Sequence, residues 1–174
     1  PTRPTPMPVA PVNPSAPQAV FFDLDGTLAD TAHDLVAPVQ SMRAVRGLPP
    51  LPFEMLRPYA SMGARGLILR GLGVERDDEA FPALRDEFLA RYEQAMLVRT
   101  RLFDGMDSVL DTLDAAGIPW GVISNKVERY VRPILHGLGL LERSVCAIGG
   151  DTTPHPKPHP APLLHGARLA GVDP

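Results

Sequence analysis

The spacing of apolar positions changes character along the chain. Ala19 to Leu24 is an apolar run of strand length that ends among carboxylates. Behind it, Asp30 or Thr31 can cap a helix whose apolar positions Leu35, Val39 and Met42 recur three or four apart, with Pro38 expected to kink it. Leu48-Pro49-Pro50-Leu51-Pro52 breaks the pattern. Ser61-Met62-Gly63-Ala64-Arg65-Gly66 then leads into a short apolar helix, and Phe81, Leu84, Phe88, Tyr92 and Met96 fall near one face of a helical stretch from Asp77 to Leu97. Between about Asp34 and Arg101 there is no strand signal. After Phe103-Asp104-Gly105, the stripe Met106, Val109, Leu110 and Leu113 predicts a helix that Gly117 ends as its C′ residue, and Ile118 to Ile123 predicts a strand. Val127, Val131, Ile134, Leu135 and Leu138 predict a further helix, stopped by Gly139; Ser144 to Ile148 predicts a third strand. A loop with alternating prolines, 154–162, leads into a last helix ending near Gly171.

Strands that alternate with helices imply an α/β fold, a Rossmann-like parallel sheet covered on both faces. The sequence divides accordingly into a core, 18–33 and 102–174, and an all-helical cap, 34–101, inserted just after the first strand. Residues 1–17 hold 7 of the 21 prolines and little apolar periodicity, which predicts a Pro-rich disordered leader.

Composition narrows the function classes. The 174 residues are 44% apolar, enough to bury a real core, and carry a net charge of -3 with no basic run longer than a pair, so nucleic acid is not an expected partner. Cys146 is the single cysteine, which leaves neither a disulfide framework nor a thiolate metal site and suits a reducing, cytoplasmic setting. No stretch approaches the roughly 20 apolar residues that span a bilayer, so no membrane association is expected.

The chemistry concentrates in Phe21-Phe22-Asp23-Leu24-Asp25-Gly26-Thr27-Leu28. In an extended chain Asp23 and Asp25 point to the same side, and two like charges so close are costly without a cation. Phosphoryl transfer uses such a pair: one carboxylate attacks phosphorus, while the other protonates the leaving oxygen and later activates water. Mg²⁺, a hard cation with oxygen ligands, offsets the repulsion. Two later stretches belong to the same pattern, Ser124-Asn125-Lys126 at the end of a predicted strand, and Lys157-Pro158 behind Gly149-Gly150-Asp151. By itself Ser124 reads first as a helix N-cap.

Together these motifs resemble those of the haloacid-dehalogenase-like superfamily, and Asp25 makes them similar to its phosphatases. The resemblance implies Asp23 as nucleophile and metal ligand, and Asp25 as general acid and base and as metal ligand through its backbone carbonyl. It implies Gly26, Thr27, Ser124, Asn125 and Lys157 as phosphate-binding residues, with Mg²⁺ as cofactor. Asp23-Leu24-Asp25-Gly26-Thr27-Leu28-Ala29-Asp30-Thr31, Gly63-Ala64-Arg65, Leu102-Phe103-Asp104-Gly105-Met106 and Gly150-Asp151-Thr152-Thr153-Pro154 resemble, more narrowly, the phosphoglycolate phosphatases and the bacterial phosphatases of N-acetylmuramic acid 6-phosphate. The expected activity is therefore Mg²⁺-dependent hydrolysis of a small phosphomonoester, 2-phosphoglycolate first and N-acetylmuramic acid 6-phosphate as the alternative. A phosphate-binding protein without turnover is a third reading. Both substrates carry a carboxylate, for which Arg65, beside Gly63 in the cap, is the candidate reader; an exposed arginine opening a helix is the other reading of that residue. His155, His159 and His165 surround Lys157, but intervening prolines and the lack of an acidic or thiol partner argue against zinc. In the family the chain continues past a Gly-Val-x-Pro stretch into another strand that ends in acids of the metal site. Here Gly171-Val172-Asp173-Pro174 is the last stretch, so a C-terminally truncated core, short of an acidic metal ligand, is expected.

Overall fold

The computed structural model describes residues 16–174, so the leader assigned to 1–17 lies outside the described residues except for Ala16 and Pro17. Strand β1 (Val20–Phe22) pairs in parallel with β4 (Trp120–Ile123), Val20 opposite Trp120, and β4 pairs in parallel with β5 (Ala147–Ile148), giving the order β1-β4-β5. Every residue of the central strand β4 is buried, as expected of a parallel strand covered on both faces. Helices α5 (Met106–Ala115), α6 (Glu128–Gly137) and α7 (Ala161–Ala170) follow in α/β alternation. Leu110, Trp120, Val122, Val131, Ile134, Leu135 and Leu140 form one apolar cluster with Leu24 and Leu28.

A second cluster lies among four helices that leave the sheet after β1: α1 (Ala32–Val45), α2 (Phe53–Ala60), α3 (Gly63–Leu72) and α4 (Phe81–Ala95). It is built of Leu35, Val39, Met42, Leu56, Leu67, Ile68, Phe88 and Tyr92. The chain leaves and returns through two paired two-residue strands, β2 (Ala29–Asp30) and β3 (Arg101–Leu102), antiparallel with Ala29 opposite Leu102. That pairing fixes the helices relative to the turn that carries Asp25, which itself bridges to Ala29.

Several expectations shift here. The first strand stops at Phe22, two residues early, because the main chain turns back so that Leu28 and Ala29 N–H groups donate to the carbonyls of Asp23 and Leu24. Arg101 is in a strand rather than ending an all-helical segment, and α2 is an additional helix around Pro58. Helix α4 begins at Phe81, not Asp77, since the Asp78 carboxylate accepts from Ala80 N and holds the preceding residues in a turn. Thr31 does flank α1, yet its hydroxyl caps nothing and donates to Asp25 instead.

Behind β5 the chain comes so close to the 124–128 loop that only glycine fits. A Cβ on Gly149 would meet the backbone nitrogen of Glu128 at 2.3 Å, and one on Gly150 the carbonyl of Asn125 at 2.5 Å. Because the obstacles are main chain, no side-chain rotation relieves them. Gly149→Ala should therefore cost about 1–3 kcal/mol of stability, the usual penalty of overpacking. Urea unfolding checks this, and an unchanged midpoint would mean that the two loops are free to separate.

Candidate active site

Three strand ends meet at one mouth, as in open parallel sheets, where ligands sit beyond the carboxyl ends of the strands. Asp23 and Asp25 follow β1, Ser124 to Lys126 follow β4, and the loop carrying Lys157 follows β5. The mouth opens into a cavity of about 460 Å³ whose far wall is helical, with Leu35, Met62, Gly63, Phe88, Leu89, Tyr92 and Tyr130 facing Asp23, Asp25, Ser124, Asn125 and Lys126.

The two carboxylates are kept apart by separate cations. Asp23 Oδ1 lies 3.2 Å from Lys157 Nζ and accepts from Leu24 N at 2.8 Å. Asp25 Oδ1 lies 3.1 Å from Lys126 Nζ and accepts from the Thr31 hydroxyl at 2.6 Å. Asp23 is the more open of the two, with 43% of its side chain exposed against 24% for Asp25. That suits the roles expected of them, an attacking oxygen that substrate must reach and an acid shielded from bulk water.

Lys157 is anchored at both ends. Its ammonium donates to the Ile123 carbonyl at 2.7 Å, while its main chain is gripped by the Asn125 amide, which donates to Lys157 O at 3.0 Å and accepts from Lys157 N at 2.9 Å. Asn125 was expected to bind phosphate; in the structure its side chain is engaged with the lysine loop. Ser124 is buried and its oxygen accepts from Lys126 N at 3.1 Å, with α6 starting only at Glu128, so it is not an N-cap and its hydroxyl proton remains available to an anion. Gly26, at φ 76°, makes the turn possible, but its N–H donates to the Ala29 carbonyl inside that turn; Thr27 is exposed beside it.

Arg65 is not brought to this cavity. It is exposed and lines a separate depression with Leu69, Glu75, Arg76 and Asp77. About half a turn of helix separates the expectation from the outcome: Gly63, at the start of α3, faces the active-site mouth, and Arg65, two residues on, lies outside it.

Lys126, Tyr92 and Thr31 belong to the site although sequence reasoning assigned them no part in its chemistry. Lys126 Nζ donates to Tyr92 Oη at 2.9 Å and stands 4.8 Å from the ring centroid. Burial, with Asp25 and Asp34 nearby, pushes the Tyr92 phenol well above its ordinary value, so it stays protonated. Tyr92 read simply as one of the apolar positions of α4; only the basic residue after Ser124-Asn125 hinted at a partner. Cys146 is buried, which raises its thiol to about 11 and removes it from thiolate chemistry at neutral pH.

Among the described residues no group of three or more His, Cys, Asp or Glu side chains could hold a metal ion. His155 and His159 lie with ring centroids 4.4 Å apart and have no such third partner. Mg²⁺ asks for near-octahedral oxygen ligands, one or two of them carboxylates. Asp23 and the Asp25 carbonyl offer two, and one oxygen of each carboxylate already faces an ammonium group. The described residues thus do not make a complete Mg²⁺ site.

The haloacid dehalogenase-like hydrolase family model matches residues 20–174. The chain belongs to this family. Among curated relatives of these hydrolases, an N-acetylmuramic acid 6-phosphate phosphatase from Pseudomonas aeruginosa is 41% identical over 157 residues, 90% of this chain and 70% of the relative. A phosphoglycolate phosphatase from Xanthomonas campestris pv. campestris is 44% identical over 156 residues, again 90% and 70%. A crystal structure described as a predicted phosphoglycolate phosphatase from Haemophilus somnus superposes with a TM-score of 0.75 at 27% identity, covering 89% of this chain and 72% of its own. The chain is thus a phosphatase-type haloacid dehalogenase-like hydrolase with a Rossmann-like sheet, and none of its helices among the described residues is long and apolar enough to cross a membrane.

Proposed function

We propose that this chain hydrolyses a small organic phosphomonoester in the cytoplasm through an aspartyl-phosphate intermediate, with 2-phosphoglycolate as substrate. The observation that carries the reading is the pairing of two carboxylates with two separate lysines at one strand-end mouth, Asp23 with Lys157 and Asp25 with Lys126. In the first step an Asp23 oxygen bonds to phosphorus, the bond from phosphorus to the ester oxygen breaks, and Asp25 gives that oxygen its proton. In the second, Asp25 takes a proton from water, the water oxygen bonds to phosphorus, and the bond to Asp23 breaks. Lys157 and the Ser124 hydroxyl stabilise charge on the phosphoryl oxygens, and the helical wall excludes water from the reacting groups. Asn125 serves this reading by holding the Lys157 loop.

Mg²⁺ is the cofactor that the family implies. With two oxygen donors among the described residues, the expectation is weak, roughly millimolar binding, at the feeble end of carboxylate sites.

One feature favours the second substrate reading, N-acetylmuramic acid 6-phosphate. The cavity, at about 460 Å³, is larger than phosphoglycolate fills, and Phe88, Tyr92 and Tyr130 offer apolar faces to a sugar ring. The deciding measurement is phosphate release from both esters side by side across a Mg²⁺ titration. Phosphoglycolate is expected to lead in kcat/KM by about tenfold or more, the discrimination available when a site pairs with a polar group that its competitor presents elsewhere. The reverse order would move the assignment to the sugar phosphate. Phosphate binding without metal-stimulated turnover of either would leave a non-catalytic phosphate-binding protein.

A further inference from the structure

We infer that Lys126 selects the organic part of the substrate by pairing with a carboxylate on the carbon that bears the leaving oxygen, an inference that rests on the phosphomonoesterase reading above. On that reading the two lysines adjoin the two carboxylates that act on opposite sides of the bond to be broken. Lys157 is beside Asp23, where phosphorus becomes attached, and so belongs to the phosphoryl side. Lys126 is beside Asp25, the acid proposed for the ester oxygen, and so belongs to the leaving group.

An ammonium group has three donors. Lys126 donates one to Tyr92 Oη and lies 3.1 Å from Asp25 Oδ1 as an ion pair, and among the described residues its Nζ has no further protein partner. The side chain is only 8% exposed, so bulk water serves the ammonium poorly and an anion in the cavity would be strongly favoured there. Among the described residues lining the cavity, Lys126 is the one cation. Arg129 lies outside that lining, its guanidinium 4.7 Å from the Tyr130 ring centroid and 3.4 Å from Glu93. Arg65 opens into the other depression. Tyr92 and Asp25 hold the ammonium from two sides, which limits the geometries it can offer. The carboxylate of a 2-phosphooxy acid lies two bonds from the ester oxygen, within the span of a cation adjoining the acid that protonates that oxygen.

The test compares kcat/KM for 2-phosphoglycolate with that for 2-hydroxyethyl phosphate, in which a hydroxymethyl group replaces the carboxylate. Any loss that Lys126 causes through Asp25 affects both esters and cancels in the ratio. Lys126→Met should lower the ratio by about 30-fold or more, the scale for truncating one partner of a desolvated charge pair. Lys126→Arg should restore most of it, and Arg65→Ala should leave it within about twofold, as for an exposed charge outside the cavity. An unchanged ratio in Lys126→Met, or a ratio that falls with Arg65→Ala instead, overturns the inference while leaving the phosphatase reading intact. Calorimetric affinities for the same two esters make the tests separable. Charge-selective binding that disappears in Lys126→Met, without turnover in the parent chain, would support the inference and defeat the proposed activity. Binding of neither ester would overturn both.

Discussion

Asp23→Asn is expected to eliminate the acid-labile phosphoenzyme and to lower turnover by roughly 10⁴ or more, the scale for removing a nucleophile that acts as part of a unit. Asp25→Asn is expected to do something different. An amide cannot protonate the leaving oxygen or take a proton from water, but an aryl phosphate needs little protonation to leave. The Asp25 variant should therefore become phosphorylated slowly by an aryl phosphate and then stall, so that radiolabelled phosphoenzyme accumulates. The structure makes the comparison clean. Asn at 25 still offers an oxygen to the Thr31 hydroxyl, and Asn at 23 one to the Leu24 N–H, so neither change leaves these donors without a partner. The measurement is acid-quenched phosphoprotein after incubation with labelled substrate. Label retained in the Asp23 variant would exchange the two roles or move the nucleophile elsewhere.

What could be read from the sequence was what depends on periodicity and on motif order. The alternation of strands and helices was legible because β4 and α6 bury continuous apolar faces, and Gly117, Gly139 and Gly171 end helices at positive φ as their positions suggested. That Asp23, Asp25, Ser124 and Lys157 would lie together was legible because strand ends converge in an open sheet. Strands β2 and β3 were not, since two residues are too few to show alternation and their pairing partners are 73 and 71 residues apart in sequence. Helix α2 was hidden by the prolines before it and within it, although Phe53, Leu56 and Ala60 carry helical spacing. The placing of Arg65 outside the cavity was not legible, because a helix start can present one residue to a cavity and turn the residue two places on away from it. The duty of Asn125 depends on a contact with Lys157 across 32 residues, which no local pattern encodes.

Asp34 illustrates the same limit, and its replacement should have the largest effect on stability. It stands in the first turn of α1, where an acid is ordinary, yet it is 2% exposed and its carboxylate accepts four hydrogen bonds. Arg99 N donates to both of its oxygens, and Thr100 N and the Thr100 hydroxyl donate at 2.8 Å each. These bonds join the chain leaving for the helices to the chain returning from them, one residue before β3. Removing the carboxylate strands two main-chain N–H groups, each costing about 1–3 kcal/mol when buried. A neighbouring cleft lined by His33, Asp34, Val98 and Arg99 lets water replace part of the loss. Asp34→Ala is therefore expected to lower stability by roughly 2–4 kcal/mol, less than the full sum of the stranded donors. Asp34→Asn, which keeps one acceptor oxygen, should fall about halfway. Because β2 and Thr31 sit on the same linker as Asp25, the Ala variant should also lose activity below its unfolding midpoint, where the Thr31 contact to Asp25 no longer has a fixed partner. Urea unfolding followed by two probes, one in each apolar cluster, checks the first claim, and turnover at low urea checks the second. A loss under about 0.5 kcal/mol, the range of ordinary surface substitutions, would mean that the linker is held by the β2–β3 pairing alone.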